Sequence, residues 1–184
     1  MNSINKKKLS GKSLFLLLIL LLTIIGLVVW SNDNRRHKIL ITKILTQVFT
    51  YPNASLKYTI DSLESNQLIG NGVPDNPSNI SNDKLFEIYG SYFTKDAYAD
   101  FCNKRYPFEI FLSAQHHSSN IKITNIEITR DNNTYNCSVT LSLIKNEAER
   151  NVVQDVYITF TGNKISNFFF DKNNILTAIN ELYN

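Results

Sequence analysis

Seventeen consecutive uncharged residues, Leu14 to Trp30 (LFLLLILLLTIIGLVVW), constrain this chain more than any other feature of it. Fourteen of them are Leu, Ile, Val or Phe. At roughly −0.3 to −0.6 kcal/mol each, these favour a membrane helix by about 4–8 kcal/mol. A helix of that length spans roughly 26 Å, enough to cross the hydrocarbon core once Ser13 and Ser31 are added. Trp30 stands where an interfacial aromatic belongs. The rival is a cleaved signal peptide, whose apolar region is usually about 7–15 residues long and ends in small residues. Here the run is longer, ends in Val28-Val29-Trp30-Ser31, and is followed by no nearby cysteine that would accept a lipid. An uncleaved anchor is therefore expected. It divides the chain into a basic head (1–13), a transmembrane helix (14–30), a juxtamembrane linker (31–36) and an extracytoplasmic domain (37–184).

Charge gives the orientation. Lys6, Lys7, Lys8 and Lys12 crowd the head, and no acidic residue precedes Asp33. Arg35, Arg36 and Lys38 oppose them on the other flank, close enough to the bilayer to touch anionic headgroups. The positive-inside bias favours a cytoplasmic N-terminus. The formal charge of +3 comes from the head, because residues 31–184 carry 15 basic and 16 acidic side chains. A nearly neutral domain is not an electrostatic nucleic-acid binder. Its apolar and aromatic content is too high for disorder. The excess of Asn and Lys over Ala and Arg is the composition of an AT-rich coding sequence, such as low-GC Gram-positive bacteria have.

Beyond the anchor the pattern is first helical, then alternating. Ile41, Ile44, Leu45 and Val48 fall at i, i+3, i+4, i+7, and Pro52 ends that helix or follows its end. A shorter helical pattern carries Leu56, Ile60 and Leu63, before a Gly/Pro/Asn-rich loop over 66–82. Ser81 or Asn82 caps the next helix, with Asp83 in its first turn and Leu85, Phe86, Tyr89, Tyr92 and Phe93 on its apolar face. Thr94 reads as a further N-cap, ahead of Ala97, Tyr98, Phe101 and Cys102, and Pro107 closes the helical half. Residues 108–115 (FEIFLSAQ) then read as a strand or a connector. Residues 121–129 alternate with a phase slip near Asn125, the mark of a bulge or sharp bend. Tyr135, Cys137, Val139, Leu141 and Leu143 share one strand face, and Val152, Val156, Ile158 and Phe160 share another. Asn146 to Asn151 reads as a polar loop, and Gly162-Asn163 as a two-residue hairpin turn into 164–170. A last helix aligns Ile175, Leu176, Ile179, Leu182 and Tyr183. The fold class is α+β, with helices packed on one face of a curved antiparallel sheet of four or five strands.

This order, with Tyr89-Gly-Ser-Tyr92-Phe93-Thr94-Lys-Asp-Ala97-Tyr98-Ala-Asp-Phe101 ahead of the strands, resembles the nuclear-transport-factor-like α+β cone, or cystatin-like roll. With the anchor added, the layout is similar to the bitopic assembly-factor subunit of type IV secretion and conjugation channels. The resemblance implies an apolar pocket between helices and sheet, lined by Tyr92, Tyr98, Phe101, Tyr135 and Tyr157. It also implies other envelope proteins as partners and allows a homo-oligomer.

Catalytic chemistry has little to stand on in this chain. No G-x-S-x-G, phosphate loop or H-E-x-x-H is present. His116-His117 would point to opposite faces of a strand with no ligand partner, and they read instead as polar residues on the connector from Gln115 to Asn120, so no metal and no cofactor is expected. Asp96 and Asp100 read as surface carboxylates rather than pocket acids. Cys102 on a helix and Cys137 on the central strand are candidates for a disulfide, which an exported domain permits. The function expected is a non-catalytic protein-interaction component of an envelope assembly. The alternative is a small apolar ligand-binding protein, with an enzyme as the third choice.

Overall fold

The computed structural model describes residues 11–57, 85–106 and 108–182. The chain divides after His37 into two units.

Helix α1 runs without a break over Gly11–Phe49, so the juxtamembrane residues 31–36 lie inside it. Its membrane-length stretch is apolar on every side, and none of its most apolar window is buried inside the protein. Side chains such as Phe15, Leu16 and Leu20 are 60% exposed or more. A helix with no polar face and no protein cover suits lipid rather than water.

The second unit, Lys38–Asn184, has its own core. Ile41, Ile44, Leu45 and Val48 are buried as their spacing predicts, and Phe49 joins them. Tyr51 then exchanges two backbone hydrogen bonds with Ile121, at 3.0 and 2.9 Å. Leu56 is buried in the helical turn that follows. Ile60, Leu63, the loop over 66–82, the Ser81/Asn82 cap and Asp83 lie outside the described residues.

A π turn, Phe86–Gly90, replaces the regular helix expected there. Leu85, Tyr89 and Phe93 still point inward, but the wider turn rotates Phe86 out of the stripe, to 56% exposure. Its ring lies over Gly90, where an added Cβ would come within 2.3 Å of it. Helix α2 (Lys95–Asn103) starts where predicted, with the Thr94 hydroxyl accepting a hydrogen bond from the Ala97 N–H at 3.4 Å.

Residues 108–115 depart from the strand or connector expected of them. Residues 109–115 belong to helix α3 (Glu109–His116), and Phe108 is its N-cap. FEIFLSAQ satisfies two periods at once: Phe108, Ile110 and Leu112 alternate, while Ile110, Phe111 and Ala114 fit a helix. Packing selects the second set, and those three are the buried ones. The change of period therefore comes at Asn120, not at Pro107. His116 is the last residue of α3 and His117 its C-cap, their rings edge-on at 4.8 Å, so the connector expected over 115–120 begins only after the helix end.

Strands β1 (Asn120–Asp131), β2 (Thr134–Lys145), β3 (Ala148–Thr161) and β4 (Lys164–Phe169) form an antiparallel meander in sequence order. The phase slip is a bulge between Ile123 and Asn125, where the Thr124 hydroxyl donates to the Thr140 carbonyl at 3.2 Å. It lets Ile121 and Ile123 on one side, and Ile126 and Ile128 on the other, face the same core. All three hairpins turn in two residues, with Asn132, Asn146 and Gly162 at φ of 56°, 53° and 58°. The polar loop expected over 146–151 is thus the turn Asn146-Glu147, and β3 begins at Ala148. Helix α4 (Asn173–Glu181) closes the domain by burying Ile175, Ala178 and Ile179. Tyr183 lies outside the described residues.

Candidate functional site

The expected pocket residues separate into three places. Tyr92, Tyr98 and Phe101 sit close together, on or beside the π turn and α2. Tyr135 is fully buried on β2, edge-on to Phe160 at 5.5 Å. Tyr157 points the other way: Tyr135 pairs with Ile158, so Tyr157 emerges on the outer sheet face, 45% exposed.

Around Tyr98 the polar groups are kept neutral. Tyr89 is completely buried and its hydroxyl has no hydrogen-bond partner among the described residues. Burial, then the neighbouring Cys102 and Tyr92, push its phenol well above the usual range. Burial and Cys102 do the same to Tyr98. Burial also raises the Cys102 thiol, against a smaller lowering by Tyr98. A thiol held protonated is not a ready nucleophile.

Both cysteines carry free thiols, and no disulfide joins Cys102 to Cys137. Cys137 faces the core from β2, and burial pushes its thiol up to about 12. An unfolded chain releases that proton near pH 9, while the folded domain holds it to about 12. The unfolded state therefore binds fewer protons in that window, and stability falls as pH rises through it. Urea denaturation in detergent at pH 8 and pH 10.5 should show this loss. Cys137→Ala should reduce it, and an unchanged loss would refute the assignment.

Two surface features lie outside that cluster. The first is a cleft of about 410 Å³ where the end of α2 meets the connection from β4 to α4. Tyr106 and Phe170 stack in it at 4.3 Å and 27°, locked by a 3.0 Å hydrogen bond from the Tyr106 hydroxyl to the Phe170 carbonyl. Lys104, Arg105 and Lys172 line it, together with Asp171. The Lys104 ammonium pairs with Asp100 at 2.7 Å and lies 5.7 Å from the Phe169 ring centre. The hydrogen bond it donates to Asp100 raises its pKa. Lys172 pairs with Glu109 and donates to the Lys104 carbonyl at 3.3 Å.

The second feature is on the outer face of the sheet. Tyr157 and Phe169 pair across β3 and β4, ring centres 6.4 Å apart, each 45% exposed. Val153, 54% exposed, lies four residues back along the same face of β3, with the exposed Asp155 between it and Tyr157. Asn136, Ser138 and Thr140 occupy the same face of β2.

None of the cleft residues stands out in the sequence. The only signal is a pair of basic–aromatic clusters, Lys104-Arg105-Tyr106 and Phe169-Phe170-Asp171-Lys172, which only the tertiary fold brings together. Among the described residues, no group of three His, Cys, Asp or Glu is placed to hold a metal ion.

No protein family and no curated protein matches this chain. Among solved structures it is similar to the solution NMR structure of a de novo designed beta-sheet protein, at 16% identity and a TM-score of 0.35. That match covers 65% of this chain and 89% of the other.

Proposed function

We propose that the chain is a single-pass membrane protein whose α+β domain, on the extracytoplasmic side, binds partner proteins without catalysing a reaction. The observation that carries this is the exposed Tyr157–Phe169 pair on the outer face of the sheet. Single exposed apolar residues are ordinary, but two half-exposed aromatic rings facing each other across adjacent strands are what an interface centre is enriched in. The neutral thiols and phenols near Tyr98 agree with a non-catalytic role. A basic head, one apolar helix and a compact domain support placement in an envelope assembly, as in the conjugation-channel subunit that the layout resembles.

The test is Val153→Ser combined with Tyr157→Ser, which leaves the cleft residues untouched. Extracted from native membranes in mild detergent, the wild-type chain should elute in a complex larger than its own detergent-bound monomer. The double variant should lose at least nine-tenths of that complex while keeping its thermal midpoint. A wild-type chain that elutes alone as a monomer refutes the proposal. A complex containing only copies of this chain would identify the patch as a self-association surface and refute a foreign partner.

A further inference from the structure

We infer, on the reading that the apolar stretch crosses a bilayer, that Arg35, Arg36 and Lys38 form a cationic collar on α1 that gathers anionic phospholipid around it. Helix α1 is unbroken from Gly11 to Phe49, so residues 31–38 continue the spanning helix. At 1.5 Å per residue the three cations stand about 8–12 Å beyond Trp30 along the axis. Side chains on a helix lean toward its N-terminus, which here is back toward the bilayer. Arginine and lysine are long enough to reach headgroup phosphates from that height, their stems lying along apolar surface. A flexible linker would fix neither the height nor the lean.

The collar is uncompensated. All three side chains are exposed, and none takes part in an ion pair among the described residues. At 100° per residue they spread over an arc of about 160° of the helix. Asp33 is the only acidic residue between Trp30 and Phe49, and it is half-buried and falls outside that arc. The opposite side of the same helix is committed to the core through Ile41, Ile44, Leu45 and Val48. Three cations at one level just past an apolar stretch fit a sheet of phosphates at that level. The charge of an anionic surface is felt within about 8 Å at physiological ionic strength. Lys43 shares the exposed side but stands about 20 Å beyond Trp30, out of that range.

The chain's single tryptophan, Trp30, reports the lipids beside this end of the spanning stretch. The full chain is reconstituted in two vesicle preparations, each of equal phosphatidylglycerol and phosphatidylcholine, with dibrominated acyl chains on one lipid or on the other. Surface charge is the same in both, so the difference in Trp30 quenching measures which lipid is gathered. We expect phosphatidylglycerol to associate at least threefold more strongly than phosphatidylcholine. Arg35→Gln, Arg36→Gln and Lys38→Gln together should bring that ratio to one and leave the thermal midpoint unchanged, whereas Lys43→Gln should preserve the ratio. Equal quenching in the wild type, or a preference that survives in the triple variant, would overturn the inference. Quenching by neither brominated lipid would place Trp30 outside the bilayer, and would overturn the spanning reading and the collar with it.

Discussion

Replacing Phe101 with alanine should unfold the α+β domain under mild conditions. Phe101 is 1% exposed, and its ring meets Tyr89, Phe93, Tyr106 and Phe168 at centre distances of 5.2, 4.7, 6.1 and 5.3 Å. These neighbours come from the π turn, the loop before α2, the segment after α2, and β4. No one of them can move into the space without abandoning its own contacts. The expected loss is that of a large buried aromatic, about 3–5 kcal/mol. Set against a total stability of about 5–15 kcal/mol, that removes a large share. Urea denaturation followed by tyrosine near-ultraviolet circular dichroism measures it. Phe86→Ala is the control, because that ring is 56% exposed and lies against Tyr98 and Gly90 at the surface. It should cost about 1 kcal/mol or less. Equal losses at the two positions would mean that the aromatic cluster is not centred on Phe101.

The same cluster shows which parts of the fold can be read from residues alone. Local chemistry is legible where one period or one cap stands without competition. Thr94 has a hydroxyl at the right place, β2 alternates over five apolar residues, and Gly162-Asn163 can only turn. Two signals mislead because they are ambiguous. FEIFLSAQ supports both periods, and only burial of Phe111 and Ala114 against the core decides for the helix. Asn146 resembles any polar loop residue until its φ of 53° shows it opening a two-residue turn. Tyr157 cannot be placed without the register, since one residue's shift moves a side chain through the sheet. The cleft is illegible for a different reason. Lys172 reaches both Glu109 and the Lys104 carbonyl, contacts that span more than sixty positions of sequence and leave no local pattern.

Leu20→Arg together with Ile24→Arg should release the protein from the membrane. Both positions lie within the apolar stretch of α1 and are 60% and 50% exposed, so no protein surface shelters a charge there. Each arginine near the centre of a spanning helix costs about 2.5–3.5 kcal/mol, and each lost aliphatic removes a further few tenths. The pair therefore costs about 6–8 kcal/mol, comparable with the roughly 4–8 kcal/mol that the whole run contributes. Extraction of membranes with alkaline carbonate is the measurement. Wild-type chain should stay in the pellet and the double variant should leave it, while Leu20→Val should change nothing. The α+β domain has no reason to unfold in the variant, because its hydrophobic core draws on no described residue before Leu40. Sequencing the N-terminus of the membrane-bound wild type separates an anchor from a cleaved signal. An anchor keeps Lys6 to Lys12 attached to the chain, whereas a new terminus close to Ser31 would mean that the apolar run serves export alone.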